Sequence, residues 1–142
     1  MSIKAVLLPL FVEVALTFVL MFWMGGLRVA AVRRGEVHPR DIALREPNWP
    51  RRVLQIQYAF HNQLELPVLF YVLTILAWTT KFADLLFLIL AWVFVVLRLL
   101  HAYVHVTDNN VPRRGMIFIA GAVVLVVMWL IFAVRFLLLT PF

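Results

Sequence analysis

Cysteine is absent from this 142-residue chain. No disulfide can staple it, no thiolate of its own can attack a substrate, and no cysteine-based metal site can form. A reactive thiol, if one takes part, must arrive with a ligand. Charge is also scarce. Asp, Glu, Lys and Arg make up 14% of the residues, against roughly 25% in soluble domains. Acids are the rarer sign, 7 against 13 bases, which leaves a net charge of +6. No glycine-rich phosphate loop, serine triad or nucleic-acid motif is present, and there is no internal repeat or low-complexity tract. Strict apolar–polar alternation is missing too, which argues against a membrane β-barrel.

What fills the chain instead is hydrocarbon. Hydrophobic residues account for 65% of it, where a soluble domain has about 45–50%. They fall in four long runs, about 5–31, 53–79, 84–107 and 115–139. Each reaches the ~20 residues that carry a helix across ~30 Å of bilayer core. The sequence therefore predicts an all-α membrane protein, a single domain over 1–142 built as a four-transmembrane-helix bundle. The first run is longer than a signal-peptide core and is followed by GGLRVAAVRR rather than a small-residue cleavage site, so it reads as a retained span.

The bases are placed unevenly. Arg28, Arg33, Arg34, Arg40, Arg45, Arg51 and Arg52 lie at or between the first two runs, and Arg113 and Arg114 between the last two. The opposite side holds only Lys4, Lys81 and Arg135. By the positive-inside bias, the 32–52 loop is expected in the cytoplasm and both termini outside it. Such a distribution reads as membrane topology with attraction to lipid headgroups, and not as nucleic-acid binding. The loop itself, broken by Pro39, Pro47 and Pro50, is expected to hold one short helix near 39–45.

Against this background the intramembrane polar residues stand out. Gln55, Tyr58, Asn62 and Glu65 are spaced to share one face of the second helix. Arg98, His101 and His105 share one face of the third. Counting 1.5 Å per residue from the loop side, Glu65 lies ~18 Å deep and Arg98 ~15 Å deep, so a Glu65–Arg98 ion pair is expected. A charge at mid-membrane costs ~2.5–3.5 kcal/mol on insertion scales, so an ionisable residue there marks a functional site by default. Polar contacts between helices can equally serve only to lock a bundle. Glu13, alone in the first helix, is expected to meet another helix or another subunit. Pro67 is expected to kink the second helix. His101 and His105, one turn apart and with Glu65 as a third donor, allow a metal reading, but Arg98 beside them would repel a cation, and no metal is expected.

The combination NQLELPVLF in the second helix and RLLHAYVHVTDNNVPRRGMIF from the third into the fourth resembles the MAPEG family, the membrane-associated proteins of eicosanoid and glutathione metabolism. The resemblance covers nearly the whole chain. It implies a homotrimer of four-helix subunits in a membrane, here a bacterial inner membrane. It also implies glutathione bound at subunit interfaces and a lipophilic small-molecule substrate drawn from the bilayer. By the same resemblance, glutathione would meet Arg28, His61, Asn62, Glu65, His101, His105 and Arg114. Arg114 would be the catalytic residue that faces the thiol. Tyr58 and His61 stand where glutathione-using members carry two arginines, and His105 where many carry Tyr. Gly115 and Phe118 replace a Ser and a Tyr. A free thiol titrates near about 8.5, and an arginine held close in a desolvated pocket would favour its thiolate. Two other classes stay open: a non-enzymatic membrane protein whose polar cluster is structural or grips a lipid headgroup, and a metal-binding redox protein.

Overall fold

The computed structural model describes residues 1–139, which form five α-helices and no strand among the described residues. Helix α1 spans Ile3–Arg33, α2 Arg51–Asn62, α3 Leu66–Thr79, α4 Leu85–Val106 and α5 Val111–Leu139. Together α2 and α3 make one span, so four segments are long and apolar enough to cross a bilayer. Their outer faces are apolar as well. Only 17% of the most hydrophobic window of α5 is buried within the subunit, an exposure that hydrocarbon tolerates and water would not.

Local chemistry sets the ends of each helix. The Ser2 hydroxyl caps α1 by accepting from the Ala5 N–H at 3.3 Å. At its far end Gly35 takes φ +69. The Glu36 N–H then reaches back to the Ala31 carbonyl at 3.0 Å and the Gly35 N–H to Val32 at 3.1 Å. This closes the helix in a Schellman turn, which needs a left-handed residue where Gly35 stands. The following loop folds back onto the bundle. Val37 is buried with Ala31 and Val53, and Ile42 and Trp49 pack against them. The short helix expected near 39–45 is a single 3-10 turn, Pro39–Ile42.

The kink expected at Pro67 in the 53–79 span is a full break into two helices. Residues 63–65 form a tight turn between α2 and α3, and Glu65 has left the helical region at φ −97, ψ −109. Pro67 causes this. It has no N–H for the Gln63 carbonyl, and in a continuous helix its ring would clash with that carbonyl. The break redirects the span: α2 packs on α1 and α4, whereas α3 packs on α1 and α5.

The end that carries the N-terminus and the 80–84 turn is called the terminal end here, and the other the loop end. The core of the terminal half is apolar, with Val6, Phe70, Leu73, Phe87, Phe94, Val95, Leu125 and Met128 all buried in one cluster. An ion pair fastens it: Asp84 Oδ2 accepts from Arg135 at 2.5 Å while Asp84 Oδ1 caps α4 by accepting from the Phe87 N–H at 2.9 Å. Partial burial alone would raise the Asp84 carboxyl, but the Phe87 N–H and the Arg135 guanidinium outweigh it and hold the group below the usual carboxylate range. Towards the loop end α1, α2 and α4 meet at Leu20, Ala59 and Ala102. Small side chains there let backbones approach closely, the usual device for helix packing in lipid.

Candidate functional site

The break in the second span organises the polar residues. Ending α2 at Asn62 frees carbonyls that a continuous helix would have used. Arg98 of α4 answers them. Its Nη2 donates to the Asn62 carbonyl at 3.2 Å, to the Asn62 side-chain Oδ1, and to Gln63 Oε1 at 3.3 Å. A guanidinium at a helix C-terminus also meets the negative end of the helix dipole. Gln63 is itself buried and donates back to the Ala59 carbonyl at 3.0 Å.

The carboxylate partner of Arg98 is Glu13, not Glu65. Glu13 Oε1 lies 3.8 Å from Arg98 Nε, and both side chains are almost wholly buried, 0% and 2% exposed. The expected Glu65–Arg98 pair fails because the turn at 63–65 takes Glu65 off the face it would share with Asn62 in an unbroken helix. Glu65 is exposed on this subunit and accepts from Asn62 Nδ2 at 3.3 Å. The shared face of Gln55, Tyr58, Asn62 and Glu65 therefore ends at Asn62.

Further toward the loop end, α4 buries His101 and His105. Their rings meet edge to face at 5.7 Å, and Phe118 of α5 lies 5.8 Å from His101. The Nδ1 atoms of both histidines are buried without a hydrogen-bond partner on this subunit. Arg114, half-buried at the start of α5, is close enough for its charge to be felt at both rings, and it donates to Asn109 Oδ1. Gln55 ties α2 to this end of α4 through the carbonyls of His105 at 2.8 Å and Thr107 at 3.1 Å. Arg52 joins them on Val106 at 2.6 Å.

Arg28 and His61 lie in a different place. They line a cleft of about 360 Å³ with Arg45, Glu46, Trp49 and Tyr58, between the end of α1, the loop and α2. Arg28 is held by Gln57 Oε1 at 2.5 Å and lies over the Trp49 ring at 5.0 Å, while its Nε is buried and unpartnered.

One subunit thus gathers the expected residues into three groups: Arg28 with His61, Asn62 with Glu65, and His101 with His105 and Arg114. It does not merge them into a single pocket. Among the described residues no three His, Asp or Glu side chains converge as metal ligands, so Glu65 does not join the two histidines. Sequence reasoning missed Glu13 and Gln63 as the partners of Arg98. A signal for Glu13 existed. Counted from the terminal end at 1.5 Å per residue, Glu13 lies about 15 Å deep and Arg98 about 20 Å deep. A lone acid at that level needs a cation within reach.

Compared with known proteins, the chain matches the model of the MAPEG family over residues 6–134. No curated protein and no solved structure matches it.

Proposed function

The chain belongs to the MAPEG family and is an integral membrane protein, and on that premise we propose that it is a glutathione-dependent transferase or peroxidase acting on lipophilic substrates. The observation that carries the reading is the pair of buried histidine Nδ1 atoms on α4 that have no hydrogen-bond partner on this subunit, with Arg114 near them at the start of α5. A buried polar atom left without a partner costs about 1–3 kcal/mol, so a polar ligand that satisfies it is favoured. The donor set fits a zwitterionic tripeptide. Arg28 and His61 offer donors to carboxylates, and the exposed Glu65 carboxylate offers an acceptor to an ammonium. Asn62, His101 and His105 offer neutral hydrogen bonds.

Glutathione, when bound, supplies the thiol that this cysteine-free chain lacks. Arg114 is the group that would hold a sulfur anion, through the opposite charge it brings to a partly desolvated place. Phe118, whose ring lies 5.8 Å from His101, would help keep water from that position. A lipophilic electrophile or hydroperoxide would reach it from the bilayer, and holding both reactants there supplies much of the rate.

The three groups within one subunit give the reason for assembly. A homotrimer would set the α2 break of one subunit against the α4–α5 groups of its neighbour and complete the site. The loop end would face the cytoplasm and both termini the other side, in a bacterial inner membrane. The test is calorimetric titration of the purified assembly with glutathione, followed by thiol transfer to a lipophilic aryl halide with the unmutated protein and Arg114→Ala. Binding with loss of turnover in the variant supports the reading. An unmutated protein that does not bind glutathione sinks it.

A second reading has its own observation. The Arg28–Arg45–His61 cleft, walled by Trp49 and Tyr58 where the loop meets the bundle, suits an anionic lipid headgroup. In a non-enzymatic protein of this kind, native mass spectrometry would find bound phospholipid that Arg28→Ala releases, with glutathione failing to compete.

A further inference from the structure

Glu13 touches none of the exposed groups of the candidate site, yet it is the only carboxylate paired with Arg98 among the described residues. Arg98 in turn fixes Asn62 twice, through its main-chain carbonyl and through its side-chain oxygen. An amide is directional: with Oδ1 taken by a guanidinium donor, Nδ2 must face the other way. It faces Glu65 Oε2, at 3.3 Å. A chain of contacts therefore runs from α1 through α4 to the turn between α2 and α3. We propose that Glu13 is a positioning residue, which through Arg98 sets the orientation of Asn62 and Glu65 at the helix break and so shapes the ligand-binding edge of the site. The ligand half of this statement rests on the glutathione reading above; the positioning half rests on the geometry alone.

Without Glu13 the guanidinium becomes a lone cation inside the bundle and turns toward other acceptors, above all the unpartnered histidine nitrogens on its own helix. Asn62 then loses its fixed donor, its amide is free to rotate, and the turn at 63–65 loosens. The turn is a weak point already, since the Glu65 N–H reaches the Asn62 carbonyl only at 3.5 Å. A purely structural role would loosen the whole bundle instead of this turn.

The experiment uses the full chain in detergent micelles, with Glu13→Gln, Glu13→Asp, Arg98→Gln and the Glu13→Gln/Arg98→Gln double variant. Two quantities are read: amide hydrogen exchange at residues 62–66 relative to α5, and KM and kcat for glutathione. In Glu13→Gln, exchange at the turn is expected to rise about tenfold and KM to rise about tenfold with kcat nearly unchanged, the size of an ordinary coupling between neighbours. Glu13→Asp keeps the charge and is expected to recover part of both effects. In the Arg98→Gln background, Glu13→Gln should loosen the turn no further and raise KM no further.

The proposal is overturned if turn exchange in Glu13→Gln matches the unmutated protein, if Glu13→Asp is as impaired as Glu13→Gln, or if Glu13→Gln acts in full without Arg98. Should Glu13→Gln fail to fold, the double variant removes both charges together and is compared with Arg98→Gln alone; any added loosening of the turn then counts against the proposal. If the unmutated protein does not turn over glutathione, the functional reading fails, and the exchange data by themselves decide whether Glu13 positions Asn62.

Discussion

At the terminal end the Phe70 and Phe94 rings lie 4.9 Å apart, tilted by 31°, inside an apolar cluster. One helical turn further along α4, the same buried face carries Arg98, then His101 and His105. The two halves use the same spans but are held differently. Apolar packing in a bilayer gains little from expelling solvent, because lipid tails are as apolar as leucine, so the terminal half rests on close dispersion contact. The loop half gives up part of that contact for directional bonds. These bonds fix one arrangement of the break, of Asn62 and of α4, and they leave several polar atoms with capacity to spare. The lesson is one of division: apolar contact holds one half, and directional polar bonds hold the other.

That division can be tested by breaking each half. The largest effect is expected for Arg98→Met. It strands the buried Glu13 carboxylate and the carbonyls of Asn62, and a lone buried charge costs about 3–5 kcal/mol. Thermal unfolding in detergent should show a large drop, and adding Glu13→Gln should return much of it. If the single variant melts like the unmutated protein, the loop half is not held by this pair. Phe94→Ala, in the apolar half, is expected to cost less than the ~3–5 kcal/mol of the same deletion in a soluble core, because in lipid mainly the lost packing counts, read in the same melts without any change at the 62–66 turn. Comparable loosening of the turn would show that the halves are not separable.

Pro67→Ala probes the junction. Restoring an N–H at that position gives the Gln63 carbonyl a donor, so amide exchange across 63–66 is expected to slow about tenfold, worth about 1.4 kcal/mol. Unchanged exchange would mean that the grip of Arg98 on Asn62, and not the proline, keeps the turn open. The smallest effect is expected at the outer clasp. Asp84 is held below the usual carboxylate range, so its contribution is full above the unfolded value near about 4 and is lost as pH falls through the lower folded value. The side chain is 44% exposed, so screening limits the gain to about 0.5 kcal/mol. Melting of Asp84→Asn should equal that of the unmutated protein at low pH and fall slightly below it at neutral pH; a gap that widens with acid would reverse the sign.

Much of this was legible in the chain. The four spans follow from the length of the apolar runs, because a bilayer forces each to satisfy its own backbone. The polar loop follows from its prolines and arginines. Pro67 marked the second span for a distortion. The partner of Arg98 was not legible. Depth along the bundle brought Glu65 and Arg98 to one level, and an unbroken helix would have kept Glu65 on the face that it shares with Asn62. The turn at 63–65 changed that rotation, because Glu65 leaves the helical region at ψ −109, which no count of spacing gives.

The sequence by itself determined that this is a four-span membrane protein of the MAPEG family, since hydrophobicity, helix length and the motifs around Asn62 and Arg98 are properties of composition and order. The tertiary structure alone decided which acid answers which base. Glu13 and Arg98 are 85 residues apart (98 − 13), and only the packing of α1 against α4 brings them within 3.8 Å. The turn at 63–65, and not that packing, is what leaves Glu65 exposed. A buried guanidinium takes whichever carboxylate the packed helices present, because leaving it unpaired in hydrocarbon costs more than any local preference along the chain can repay.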